Sequence, residues 1–272
     1  MENKLITPKT VLICLLSAWI FTLSIGTCSA TLSSSYPESP LTNRFQADYE
    51  NFLSPNRMAR LGFTFSVGSV LANSDIDNSI RRWVQTDRRS AQSDKVAASA
   101  KQLGEGKYLI PLAILAAGTS VLPQFVPGST YVSTWGEHTS RAYLVGGMPL
   151  LLMQRVSGAS RPGETEDNSN WNPMNDSNGV SGHTFVGAVP FLTLARMHSN
   201  SPAKYLFYGA SALAGWSRIN DDAHYTSQVL LGWFMAWEAT GAVFNVDNEN
   251  QNIHIKPVVT EDGGGIMFEW QW

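Results

Sequence analysis

From Phe45 onward, apolar residues recur at helical spacing through most of the 272-residue chain. Ile76, Ile80, Trp83 and Val84 share one face at spacings of three and four, and Ser74 or Asp75 stands where a cap belongs. The same pattern predicts helices over 58–71, 91–103, 109–122, 135–156, 183–197 and 202–216, and a last one from Asp221 or Asp222 to 243. Breakers separate them: Gly104 and Gly106 close the alanine-rich 91–103 segment, and Arg161-Pro162 stops the 135–156 helix. Pro190 falls inside the 183–197 helix, where it deletes a backbone bond and should kink the axis. A polar loop over 163–179 holds four acidic residues, five asparagines and Trp171. After Val243 the period changes to two: Ile266, Phe268, Trp270 and Trp272 alternate with their neighbours, and a short terminal β-hairpin is expected within about 248–272. The fold class is therefore all-α, a helical bundle with a short C-terminal hairpin.

The first thirty residues read as an address. Lys4 and Lys9 precede an apolar run over 11–25, and Cys28-Ser-Ala30 supplies small residues before a cut. That run is shorter than the roughly 18 to 20 residues a spanning helix needs. Residues 31–44, rich in Ser and Pro, are expected to form a flexible arm, and 45–272 a single domain. Removing the leader takes both cysteines, Cys14 and Cys28, so disulfides and thiolate chemistry are excluded from what remains. With Lys4, Lys9 and Glu2 gone, 17 basic and 21 acidic residues leave a formal charge of −4, which gives no reason to expect nucleic acid. The apolar stretches 109–126 and 229–244 are broken by Pro111 and Pro123 or carry Glu238, and read as core helices rather than spans.

Chemistry concentrates in short polar breaks between apolar segments. Val180-Ser-Gly-His183 and Ser217-Arg218, followed after five residues by His224, bring two imidazoles and a guanidinium to helix boundaries. A guanidinium grips phosphate oxygens as a planar fork, a neutral imidazole attacks phosphorus, and a protonated one hands its proton to the departing oxygen. With His224 placed in the first turn of a helix, the positive end of the macrodipole lowers its proton affinity. Gln228, four residues on, faces the same side and can fix its tautomer. The Ser181-Gly182-His183 helix start offers N–H groups to an anion. His138, His198 and His254 lack such neighbours and read as packed or surface residues.

Three blocks stand in order: Arg155, five residues, Arg161-Pro162; then Val180-Ser-Gly-His-Thr184; then Ser217-Arg218, five residues, His224, three residues, Gln228. Together they resemble the type 2 phosphatidic-acid phosphatase superfamily, whose fold also serves class A acid phosphatases and vanadium haloperoxidases. The resemblance spans roughly 145–245 and implies the acid-phosphatase type of helical bundle. It makes His224 the nucleophile of a phosphohistidine intermediate and His183 the acid, with Arg161 and Arg218 gripping the phosphoryl oxygens. Ser181 and Gly182 complete that anion site, and Arg155 is a further candidate. The sequence departs from the family pattern at Val180 (proline in the family), at Gln154 (lysine, with Arg155 next to it) and at Gln228 (aspartate). Asp221 and Asp222 lie near enough in sequence to stand in for that last carboxylate.

The expectation is an exported, metal-independent phosphomonoesterase without a cofactor, acting on a soluble or lipid-linked phosphate ester. Peripheral membrane association is compatible with it, outer-membrane attachment stays open, and the sequence does not fix an oligomeric state. Two alternatives share the site: a haloperoxidase that holds vanadate, and a non-catalytic phosphate-binding envelope protein, which Gln154 and Gln228 motivate. The 163–179 loop lacks the spacing of a calcium loop. Its place before Ser181 makes it a candidate substrate gate, with Trp171 as its apolar contact.

Overall fold

A computed structural model describes residues 40–121, 128–164, 168–249, 254–260 and 263–269. The expected leader (1–30) and residues 31–39 of the expected arm lie outside the described residues. Helices are α1 (Pro40–Phe52), α2 (Pro55–Ala72), α3 (Asp75–Trp83, continued by a π turn over Val84–Arg88), α4 (Ala91–Gln102) and α5 (Gly106–Gly118). Then come α6 (Ser129–Ser157), α7 (Gly182–Met197), α8 (Ala203–Ser211), α9 (Leu213–Asn220) and α10 (Thr226–Glu249). Strands β1 (His254–Thr260) and β2 (Gly263–Glu269) pair antiparallel, His254 opposite Glu269 and Thr260 opposite Gly263. The all-α class with a terminal hairpin is thus observed.

Boundaries differ from expectation in several places; α6, for one, begins at Ser129 rather than at 135. Helix α1 begins at Pro40, five residues ahead of Phe45, so the end of the expected arm is helical. The segment read as one helix over 202–216 is two, α8 and α9, divided at Ala212. The Ser211 hydroxyl at that break donates to the Tyr208 carbonyl and accepts from Trp233 Nε1. The last helix starts at Thr226 rather than at Asp221 or Asp222.

Helix α10 is the axis of the bundle and packs against α1, α2, α6, α7 and α9. It is apolar on several sides, as a helix enclosed by others must be: Leu231, Met235, Ala236, Ala239, Ala242 and Val243 are all buried. Its length and composition would suit a membrane span, yet 61% of that stretch is covered by the rest of the molecule. Gly232 permits its closest approach, since a methyl there would lie 2.3 Å from the Ser181 carbonyl oxygen. That contact joins the starts of α7, which carries His183, and α10, which follows His224.

Polar anchors fix the register of α10. The buried Asp77 carboxylate, in the first turn of α3, accepts the Ser227 N–H at 3.0 Å and the Ser227 hydroxyl. It caps α10 from another helix and satisfies donors that no preceding turn could serve. Lower down, Glu238 is fully buried and takes Arg57 and Arg60 of α2, each at 2.7 Å. At the far end, Arg141 of α6 binds Asp48 of α1 at 2.7 Å and Asp247 of α10 at 3.0 Å.

Glu238→Ala should leave Arg57, itself buried, without its counter-ion. A loss of about 3 to 5 kcal/mol is expected in urea unfolding, against well under 1 kcal/mol for Glu50→Ala on the surface of α1.

Candidate active site

The turn between α9 and α10 is wound around one carbonyl. Arg218 O accepts the N–H groups of Ala223 at 2.8 Å and His224 at 3.2 Å, and Ser217 O accepts that of Asp221 at 2.9 Å. Asp222 adopts φ 55°, a conformation aspartate tolerates better than most residues. Its carboxylate receives Arg81 of α3 at 2.7 Å through both Nε and Nη2. Asp221 instead binds Arg218 Nη2 at 2.7 Å. Both carboxylates are therefore committed to arginines, and neither substitutes for the aspartate missing at 228. The two ion pairs also explain why the helix starts late: they hold 221 and 222 in a turn.

His224 consequently precedes α10 instead of occupying its first turn. Its ring is buried, and Nδ1 lies 2.7 Å from Gln228 Oε1. The amide orientation is unambiguous. Gln228 Oε1 also accepts the Tyr225 N–H at 3.2 Å, and Nε2 donates to the Ser160 carbonyl at 2.7 Å. An oxygen facing Nδ1 requires a proton there, so Nε2 is left with its lone pair. Burial is the main force holding the imidazole neutral, with the charges of Arg161, Arg218 and His183 behind it; the Gln228 bond opposes them. The pKa falls to about 4. Burial, rather than the helix dipole, is thus the principal cause of the low proton affinity. Because the unfolded ring protonates near 6.5, the stability this group contributes is whole above that pH and is lost as pH falls toward 4.

His183, the second residue of α7, directs Nε2 at the Lys101 carbonyl, 2.8 Å away. A carbonyl only accepts, so Nε2 carries hydrogen and Nδ1 is the nitrogen free to exchange a proton. Burial and then Arg218 lower its pKa, while the Lys101 bond and the Glu105 charge pull the other way. Gly104 makes room for the ring: a methyl there would stand 2.3 Å from His183 Cδ2. In the sequence Gly104 looked like a helix terminator only.

Ser181 is fully buried and internally engaged. Its N–H donates to the Gln228 carbonyl at 2.9 Å, and its hydroxyl accepts the Thr184 N–H at 3.3 Å and the Thr184 hydroxyl at 2.9 Å. The expectation that its N–H faces phosphate is corrected: this residue ties the two helix starts together. Among the described residues, the first-turn N–H groups of Gly182 and His183 have no acceptor, and these are the donors left for an anion.

Two guanidiniums complete the cluster. Arg218 is buried, with burial lowering its pKa while Asp221 and Glu105 act to raise it. Arg161 is exposed, and its charge acts on both Arg218 and His224. No side-chain hydrogen bond holds it among the described residues; only its backbone N–H is engaged, by Glu164 at 2.8 Å. The structure thus brings 161, 182, 183, 218, 224 and 228 together. Arg155 does not join them: it is exposed at the end of α6, and no hydrogen bond or ion pair among the described residues links it to the cluster. The helical phase puts Gln154 there instead. Its Nε2 donates to the Val180 carbonyl at 2.7 Å and lies beside Gly182. Nor is Trp171 a gate contact. It is buried against Phe65 in the main core, and its backbone N–H donates to Asn73 Oδ1. The beginning of the polar loop is pinned on the end of α2, where Ser169 also bonds Ala72 O.

Residues 131–252 match the model of the PAP2 superfamily, the type 2 phosphatidic-acid phosphatases. The matched segment contains all three blocks, from Arg155 to Gln228. One solved structure with similarity is the crystal structure of the first transmembrane PAP2 type phosphatidylglycerolphosphate phosphatase from Bacillus subtilis. It is 16% identical, with a TM-score of 0.48 over 75% of this chain and 96% of that one. No curated protein matches the chain.

Gln228→Glu should put a carboxylate against His224 Nδ1 and raise that ring's pKa from about 4 to beyond the ordinary 6.5, read by NMR titration of the imidazole. The same change removes the donor to Ser160 O. Unfolding should show a loss of about 1 to 3 kcal/mol.

Proposed function

We propose that the protein is an exported phosphomonoesterase that works through a phosphohistidine and needs no metal. One observation carries the reading: His224 keeps a bare Nε2 in a buried, cationic site because Gln228 holds the proton on Nδ1. Nε2 attacks phosphorus, a P–N bond forms and the P–O bond to the alcohol breaks. The departing oxygen takes the proton from His183 Nδ1. Water then attacks the phosphohistidine, His183 Nδ1 accepts the proton that water releases, the P–N bond breaks, and inorganic phosphate leaves with both rings restored.

Arg161, Arg218 and the N–H groups of Gly182 and His183 lie where charge accumulates on the equatorial oxygens. Fixed donors of this kind typically lower a barrier by about 3 kcal/mol each. They supply the positive charge that a metal ion provides in other phosphatases, which is the basis for proposing metal independence. Export rests on the leader-like pattern of the first thirty residues. Soluble and lipid-linked esters both suit the chemistry. The exposed Leu144, Met148, Leu151 and Leu152 form an apolar face on α6 in phase with the exposed Arg155, and this favours a lipid-linked ester presented at a membrane surface.

Hydrolysis of p-nitrophenyl phosphate should persist in EDTA, be inhibited by vanadate, and fall at least about 10³-fold in His224→Ala. Quenching without acid should trap labelled phosphate on a histidine in the wild type alone. Activity surviving in His224→Ala would reject the nucleophile. Halide oxidation on adding vanadate and peroxide would favour the haloperoxidase chemistry, and inactivity toward both p-nitrophenyl phosphate and a diacylglycerol phosphate in vesicles the binding role.

A further inference from the structure

The turn that ends α4 wraps the His183 ring. Lys101 O accepts Gly104 N–H at 3.0 Å as well as His183 Nε2–H at 2.8 Å, so both its lone pairs are used. Gly104 lies against Cδ2 and Nε2 of the ring, and Glu105 N–H donates to Gln102 O at 3.3 Å. Helix α9, which carries Arg218, packs on α4. Glu105, half-buried at the start of α5, follows directly on the glycine that touches the ring, and its charge acts on both His183 and Arg218. Among the described residues its ion pair is with Lys107, at 3.9 Å and largely exposed, and so a weak one.

The charged groups around His183 are unevenly matched. Arg218 from α9 and Lys101 from α4 act against a proton on it, His224 from the turn before α10 stands nearby, and burial acts in the same direction as the two cations. Asp221 is occupied by Arg218. Glu105 is the carboxylate whose charge reaches His183.

We infer that Glu105 is a positioning residue for acid catalysis, holding the proton on His183 Nδ1 until the alcohol oxygen takes it. This rests on the phosphatase reading and adds to it a residue outside the three motif blocks. A negative charge beside an imidazole favours the imidazolium, so loss of Glu105 lowers the proton affinity of His183 and moves the basic limb of its pH profile to lower pH. The need for that proton depends on the leaving group. A p-nitrophenolate departs unprotonated, whereas a strongly basic alkoxide does not.

The test is Glu105→Gln, beside Glu105→Asp, assayed on p-nitrophenyl phosphate and on n-butyl phosphate. The expected result is kcat within about twofold on the aryl ester and a loss of about 10²-fold on the alkyl ester, with Asp restoring part of it. In parallel, NMR titration with inorganic phosphate bound should show the His183 midpoint falling by about one unit in Glu105→Gln. Equal losses on both esters, or an unmoved His183 titration, would overturn the inference. The titration needs no turnover, so an inactive wild type would count against the phosphatase reading while the role of Glu105 was still decided by the His183 shift.

Discussion

Gln228 is the residue through which the His224 turn, the segment before Arg161 and the start of α7 are held together. Its amide accepts from His224 and Tyr225 and donates to Ser160, while its own backbone carbonyl accepts the N–H of Ser181. Three separate pieces of chain are therefore registered against one residue of α10: the His224-Tyr225 turn that leads into that helix, the segment before Arg161 and the cap of α7. The bond to Tyr225 N–H is half of a capping box, with the third residue of the helix reaching back to its N-cap. Because all these partners are buried, no water can replace a lost one, and the amide cannot rotate without exchanging a donor for an acceptor at Ser160.

This network shows what is kept where the site departs from the pattern it resembles. A carboxylate at 228 would hold His224 by charge, and a lysine at 154 would offer charge to phosphate. Here both positions are glutamines, and the two changes are opposite in sign, so the sum of fixed charge around the anion is the same. Position and hydrogen-bond direction are retained without the charges. Gln154 still reaches the α7 start through Val180 O, and Gln228 still selects the Nδ1–H tautomer.

How far the site could be read in advance depended on the range of the interaction involved. The His224–Gln228 pair lies four residues apart, and such spacing brings side chains together, so it was legible. The same holds for Ser181 as a helix cap, since its bond to Thr184 is three residues long. Asp222 was misread because its partner, Arg81, is 141 residues away, and only the folded chain reveals that an ion pair outcompetes another turn of helix. Trp171 failed similarly: a polar loop implied exposure, but Ser169 and Asn73 tie it to α2 and bury the indole. Arg155 was a question of helical phase, which neither propensity nor pattern resolves to within one residue at a helix end. Gly104 carried a local meaning, chain termination, that concealed a distant one, space for an imidazole.

On the proposed phosphohistidine route, a neutral partner has a chemical consequence for the intermediate. Phosphorylation at Nε2, with Nδ1 still protonated, leaves a positively charged ring in a site whose burial and guanidiniums already disfavour that charge. A carboxylate would offset it; the dipole of an amide offsets only part. The counter-charge has to come from the phosphoryl oxygens, which Arg161, Arg218 and the α7 start hold against the ring. A phosphohistidine destabilised in this way is a better electrophile, so the absent carboxylate raises the barrier to forming the intermediate and lowers the barrier to its hydrolysis. On that route attack on the substrate becomes the slower step, and it is the step in which the proposal has the leaving oxygen take the proton of His183.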